Sequence, residues 1–176
     1  MFTTLYALEI NLSTNLFILF IFYDKIELGD FMRISAKSRY ALLSMTYLGS
    51  KYGNDSYISI IEISQKFNIS KIYLEQVFSL LKKADLILST KGSSGGYRLQ
   101  RKPIDISIFD ILNVTESSLF EKAESTIDSN SLYEKAVTEI VYENIDSLIQ
   151  NNLKSISLET LVLRSSTSED NFMFYI

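Results

Sequence analysis

Residues 59–98 read SIIEISQKFNISKIYLEQVFSLLKKADLILSTKGSSGGYR, and this stretch decides the fold. Apolar residues recur at helical spacing as far as Phe67, and Asn68 and Ile69 then interrupt the pattern. Ser70 stands where its hydroxyl can cap a second helix, Lys71 to Ala84. The apolar face of that helix consists of Leu74, Val77, Phe78 and Leu81, and its outer face of Lys71, Tyr73, Gln76 and Lys83. Two helices joined by so tight a turn are typical of a helix-turn-helix motif.

A β-hairpin is predicted directly after these helices. Leu86 to Thr90 and Tyr97 to Leu99 are short β-prone runs, joined by a loop that starts at Lys91. The loop contains Gly92, Gly95 and Gly96, and glycine allows the positive φ values that a tight hairpin needs. A hairpin with basic flanks after a recognition helix is a wing. The stretch therefore predicts a winged helix-turn-helix domain that binds duplex DNA, in a mainly α fold with a small β-wing.

The charge distribution supports this interpretation, although the net charge of −4 alone does not. Residues 32–105 carry 12 Lys and Arg against 5 Asp and Glu, whereas residues 106–176 carry 4 against 12 and residues 1–31 carry 1 against 4. Such segregation indicates a basic binding face on one half of the chain and an acidic, solvated half elsewhere. With 47% hydrophobic residues, the chain can bury a core.

The sequence contains no cysteine and no histidine. Disulfides, thiolate or imidazole metal sites, iron–sulfur ligation by thiolates and Ser-His-Asp catalysis are therefore excluded. Carboxylates are present, but no motif pairs them, so we predict no catalytic residues, no metal and no cofactor, and an enzyme is the weakest interpretation.

Residues 1–31 differ in character from the rest. Leu16 to Tyr23 is a run of eight apolar residues, whereas a membrane-spanning helix needs about 20. We interpret residues 1–31 as a mis-called start or a disordered extension, with translation beginning at Met32. The alternative is a peripheral membrane anchor, which would make the chain a membrane-attached interaction protein.

The predicted DNA-binding domain, residues 32–105, begins with a helix from Ala36 to Lys51. Ser35 is its expected N-cap, and Tyr57-Ile58 is a candidate third strand of the wing. Arg33, Lys37 and Arg39 cluster at the helix start, where the helix dipole favours phosphate; an ordinary solvated helix end is the alternative. The residues expected to face the core are Ala36, Tyr40, Leu43, Tyr47 and Leu48.

Residues 106–164 are predicted to form an effector and dimerisation region, followed by a C-terminal tail, residues 165–176. Ser107 is expected to cap a short helix, and the longest periodic element is a helix over 132–153. Its apolar stripe is broad enough to need a partner surface, supplied by a second copy or, alternatively, from within one subunit. The residues assigned to dimerisation are Leu132, Ala136, Ile140, Ile145, Leu148 and Ile149. Ser157 should cap a last short helix, with a polar linker from Arg164 to Asn171.

Three segments, residues 32–42, 69–76 and 91–99, resemble the Rrf-type winged-helix regulators. The resemblance implies a homodimer whose recognition helices enter the major groove and whose wings enter the minor groove of a pseudo-palindromic operator. On the recognition helix it assigns Ser70, Tyr73, Glu75 and Gln76, with Lys71 beside them, to bases and adjacent phosphates. In the wing the DNA-binding residues are Lys91, Gly92, Gly95 and Gly96, and the residues expected to hold phosphates are Arg33, Ser38, Arg39 and Tyr40.

The cluster-binding members of that family place three cysteines in the loop that here spans about 114–131, and this chain has none. It is instead similar to the cysteine-metabolism repressors of the family. That likeness implies a cytoplasmic repressor of cysteine and sulfur genes that acts with cysteine synthase (O-acetylserine thiol-lyase). Phe174, Tyr175 and Ile176 would dock into that enzyme. The alternative is a regulator of the same fold that binds a small effector directly.

Overall fold

The computed structural model describes residues 34–54, 57–92, 95–116, 119–120 and 131–172, with side chains described as far as residue 166. Its helices and strands, in chain order, are α1 Ala36–Ser50, α2 Ile60–Phe67, α3 Lys71–Lys83, β1 Ile87–Thr90, β2 Gly96–Leu99, a 3₁₀ turn Pro103–Asp105, α4 Ile108–Thr115, α5 Leu132–Val137, a π-helical turn Thr138–Tyr142, α6 Glu143–Ser155 and α7 Leu158–Phe172. Within these ranges the structure contains no helix long and apolar enough to cross a membrane. The candidate anchor in residues 1–31 lies outside them.

The helix-turn-helix is formed by α2 and α3, with α1 packed against α3. Asn68 ends α2 in the left-handed conformation, φ 51°, which a short polar side chain tolerates. The buried residues of α3 are those expected for its core face. One detail of the prediction was wrong: Ser70 occupies the N-cap position, but its side chain makes no capping hydrogen bond.

The predicted core face of α1 was also largely wrong. Ala36 and Leu43 are exposed, and only Leu48 of the expected residues is buried. The buried face instead consists of Ser38, Ala41, Ser44, Met45, Leu48 and Gly49. These are mostly small residues, which let α3, α4 and α7 approach closely. A Cβ added at Gly49 would lie 2.7 Å from Val162 Cγ2 of α7, so the glycine permits that helix crossing.

The wing is an antiparallel pair in which Ile87 lies opposite Leu99 and Thr90 opposite Gly96. The proposed third strand is a single bridge: Ile58 N donates to the Tyr97 carbonyl at 2.9 Å, and Tyr97 N donates back at 2.8 Å. Gly96 makes this approach possible, because a Cβ there would overlap the Ile58 carbonyl.

The helices of the second half of the chain pack against those of the first half. Ser107 and Asp110 form a capping box at the start of α4. The helical run from α5 through α6 covers the predicted long helix and ends two residues later, at Ser155. The chain then pairs with the segment before α4, through Leu158 N to the Ile106 carbonyl at 2.8 Å, and α7 packs on α1.

The polar linker predicted from Arg164 is wrong, because α7 continues through it to Phe172. The Ser165 and Ser166 hydroxyls donate to the Val162 carbonyl at 2.8 and 3.0 Å, so these polar side chains are satisfied inside a helix. Ser157 caps the helix, as expected, by accepting Thr160 N at 3.3 Å.

Candidate nucleic-acid interface

The outer face of α3 is exposed and mostly polar. Lys71, Tyr73, Glu75 and Gln76 all reach solvent. Lys71 Nζ lies 3.4 Å from Glu75 Oε1 in an exposed pair one turn apart. Such a pair contributes only about 0.3–0.5 kcal/mol, so little holds Lys71 away from an incoming phosphate. The N-cap residue Ser70 is exposed beside them.

Tyr40 of α1 positions Tyr73 of α3. Their rings meet edge to face with centroids 5.4 Å apart and planes at 84°, a geometry that aromatic pairs favour. The contact restricts the Tyr73 side chain before any ligand is bound. Arg39, next to Tyr40 in the sequence, is exposed, and Arg33 lies outside the described residues.

Ser38 does not fit the phosphate-binding role assigned to it. Its side chain is fully buried, and its hydroxyl donates to Glu116 Oε2 at 2.7 Å. The same carboxylate oxygen accepts Ser35 N at 2.8 Å, so Glu116 supplies an anion to the start of α1. The contact joins residues 78 positions apart in the sequence, and no local pattern indicates it.

The Glu116 contacts change its titration. Burial alone raises the pKa of the Glu116 carboxyl, but the hydrogen bonds from Ser35 and Ser38, with the charge of Lys37, outweigh it. The net result is a pKa below the ordinary value. The carboxylate is therefore charged at neutral pH, as its position at a helix N-terminus favours.

The wing places Lys91 and Gly92 at the surface, and Gly92 has a φ of 114°, which explains the glycine. Gly95 donates its N–H to the Gly92 carbonyl at 3.0 Å and closes the loop. Gly95 and Gly96 are half-buried. A Cβ on Gly95 would crowd the Thr90 and Gly92 backbone of the hairpin, and one on Gly96 would overlap the Ile58 carbonyl.

Sequence reasoning missed Ile72, the second residue of α3. The predicted outer face did not include it, yet its side chain is 70% exposed. Counting 100° per residue around α3 would have placed it opposite the core stripe.

The apolar stripe of the long helix is exposed. No residue of α5, the π-helical turn or α6 is buried; Leu132 is 79%, Ile140 67% and Leu148 69% exposed. Ala136 and Ile145 are also exposed, and Ile149 is half-buried. The part of the chain that the structure describes therefore leaves most of this stripe exposed.

A family model described as Rrf2, iron-dependent transcriptional regulator, matches residues 34–164. The chain belongs to the Rrf2 family. Its Rrf2 relatives include the HTH-type transcriptional regulator CymR of Bacillus subtilis (strain 168), 34% identical over 145 residues, 82% of this chain and all of that protein. Another is the HTH-type transcriptional regulator IscR of Photobacterium profundum, 30% identical over 78% of this chain and 80% of that protein.

Solved Rrf2 structures agree with the fold. The structure of CymR, described as the global cysteine regulator of B. subtilis, superimposes with a TM-score of 0.63 at 32% identity, covering 76% of this chain and 98% of that chain. The winged helix and the mainly α fold class are thereby confirmed, and the chain is a DNA-binding transcriptional regulator rather than an enzyme.

The iron named in the Rrf2 description does not fit the residues of this chain. The sequence offers no thiolate or imidazole ligand, and within the described ranges no three carboxylates gather into a group that could hold a metal ion.

Proposed function

We propose that this Rrf2 protein is a homodimeric repressor of cysteine and sulfur metabolism genes, which binds a pseudo-palindromic operator through α3 and the wing. The observation that carries the proposal is the outer face of α3, where Lys71, Tyr73 and Gln76 are all exposed within the first two turns of a helix whose opposite face forms the core. Residues near the start of a recognition helix are those that reach base edges.

Binding to operator DNA is tested by its salt dependence. If a dimer neutralises about 6–10 phosphates, the log–log slope of affinity against salt should be roughly −5 to −9. Lys71→Ala should weaken binding and make the slope less steep by about one unit per subunit, whereas Lys135→Ala, in the acidic half, should leave the slope unchanged. A slope near zero for the unaltered protein would refute DNA binding through phosphates.

Dimerisation through the long helix is supported by its exposed stripe. Each large aliphatic side chain moved from water into an interface stabilises the dimer by about 1.5–3 kcal/mol. In a two-fold symmetric dimer, each residue of the stripe is buried in both subunits. Ile140→Glu, at a position 67% exposed, should convert dimer to monomer in sedimentation velocity experiments. Ile61→Glu is a matched control, because Ile61 is also exposed but lies on α2. A dimer that survives Ile140→Glu with unchanged stability would place the interface elsewhere.

The link to cysteine metabolism rests on the likeness to CymR, whose solved structure is described as that of a global cysteine regulator. The partner that we propose is cysteine synthase, with Phe174, Tyr175 and Ile176 as its docking segment; these three residues lie outside the described part of the chain.

The partner proposal is tested with purified cysteine synthase and two forms of the regulator, the full chain and a chain ending at Phe172. Binding by the full chain alone would support docking of the C-terminus. Binding by neither would refute the partner and favour direct sensing of a small effector in the acidic half. Equal binding by both would move the contact away from residues 173–176.

A further inference from the structure

Ile72 is the most exposed large apolar residue of helices α1 to α3. Its side chain is 70% exposed, compared with 54% for Ile61 on α2 and 44% for Leu43 on α1. At 100° per residue, Ile72 points about 170° away from the centre of the buried stripe of α3. Gln76, four residues later, lies on the same outward face.

Folding gives no reason for isoleucine at this position. A β-branched side chain lowers helix propensity, and an exposed one gains nothing from burial. The residues around it on the helix surface, Lys71, Glu75 and Gln76, are polar or charged, and Tyr73 carries a polar hydroxyl. The apolar surface at Ile72 is thus a single side chain within a polar face, too small to be a protein–protein interface.

A single apolar group in this position matches one feature of duplex DNA. In the major groove, the C5-methyl of thymine is the one apolar group on a base edge, and apolar side chains contact it. We propose that Ile72 is a specificity-determining residue that contacts a thymine methyl in the operator. The inference rests on the proposed DNA binding through α3 and adds a base preference to it.

Gln76 limits where that thymine can lie. Residues four apart on a helix are separated by about 6 Å along its axis, which is less than two base-pair steps of about 3.4 Å. A glutamine amide can bond adenine N6 and N7. The thymine contacted by Ile72 should therefore lie within about two base pairs of the base bonded by Gln76.

The experiment removes only the methyl group. An operator is first selected from random duplexes with the unaltered protein, and each thymine is then replaced by deoxyuridine in turn. One position in each half-site should respond. Because one methyl is worth about fourfold in affinity, replacing that thymine in one half-site should weaken binding about fourfold, and replacing it in both half-sites about 15-fold. Ile72→Ala should bind the thymine and deoxyuridine duplexes equally, whereas Ile61→Ala should keep the discrimination of the unaltered protein.

Each other result has a separate meaning. If the unaltered protein selects no duplex, DNA binding itself fails, and the assignment of Ile72 fails with it. If it selects a duplex but discriminates against deoxyuridine at no position, or if Ile72→Ala discriminates as well as the unaltered protein, DNA binding stands and the role of Ile72 is overturned. A change in oligomeric mass for Ile72→Ala without a change in discrimination would assign Ile72 to a protein contact and also overturn the proposal. Thermal unfolding of Ile72→Ala checks that the variant is folded.

Discussion

Replacing Glu116 should destabilise the protein, because Glu116 holds the start of α1 through Ser38, 78 residues earlier in the chain. Glu116→Gln keeps the size of the side chain but removes its charge. The carboxylate accepts two hydrogen bonds, from Ser38 Oγ and Ser35 N, and hydrogen bonds to charged groups contribute about 1.5–3 kcal/mol each. Glu116 is partly exposed and the amide oxygen can still accept, so we expect a loss of about 1–2 kcal/mol in the free energy of unfolding.

The pH dependence of that loss distinguishes a charge effect from a packing effect. The pKa of Glu116 is lower in the folded protein, so its ionised form contributes stability above the pKa of the unfolded chain. That contribution disappears as the pH falls through the folded pKa. The difference between unaltered protein and Glu116→Gln should therefore be full at pH 7 and vanish well below pH 4.

The assay is urea unfolding followed by far-ultraviolet circular dichroism at several pH values. Glu139→Gln is the control, because Glu139 is an exposed carboxylate in the π-helical turn. It should leave the free energy of unfolding unchanged to within about 0.5 kcal/mol. Equal stability of Glu116→Gln and unaltered protein at pH 7 would refute the role of the carboxylate. A loss that persists undiminished in acid would show that shape, and not charge, is what matters at this position.

Four further single substitutions test packing and capping. Gly49→Ala should lower the free energy of unfolding by about 1–3 kcal/mol, because the added Cβ would overlap Val162 of α7. Adding Val162→Ala to the same chain should restore part of that stability, which a double-mutant cycle measures as a coupling energy. Ser107→Ala should lower the free energy of unfolding by about 1 kcal/mol, because it removes a capping box. Ser70→Ala should leave the free energy of unfolding within about 0.5 kcal/mol of the unaltered protein but weaken operator binding. Urea unfolding measures the stability, and fluorescence anisotropy measures the binding. Gly96→Ala should destabilise by about 3 kcal/mol or more, since its Cβ would overlap a backbone carbonyl; unfolding curves like those of the unaltered protein would contradict this.

The elements that the sequence predicts well are those with strong apolar periodicity. Helix α3 shows four large apolar residues at helical spacing, and the structure buries the same four. Helix α1 fails this test because its buried face includes Ser38, Ser44 and Gly49, small residues that a hydrophobic pattern ignores. Helix α7 fails for a related reason: a run of serine, threonine and acidic residues resembles a linker, although it contains no glycine or proline to end a helix.

The candidate interface was predictable where a single helix determines it and unpredictable where distant segments meet. Tyr73 and Gln76 follow from the face of one helix. Their neighbour Ile72 was missed, although its angular position on α3 places it on the same face. The buried state of Ser38 could not be foreseen, because it depends on Glu116, which arrives from beyond α4. Local patterns contain no information about such a contact.

The serine caps divide the helices into two kinds. Helices α1, α2, α4, α5 and α7 each begin at a serine whose hydroxyl accepts a backbone N–H of its own first turn. Helix α3 also begins at a serine, but the Ser70 hydroxyl makes no such bond. The first-turn N–H groups of α3 therefore still lack this partner, and unsatisfied groups of this kind are what a phosphate oxygen accepts from. At α1 the opposite holds, because Glu116 already supplies an anion there. This contrast explains why Ser70→Ala should leave folding nearly unchanged, whereas substitutions at the start of α1 should act first on stability.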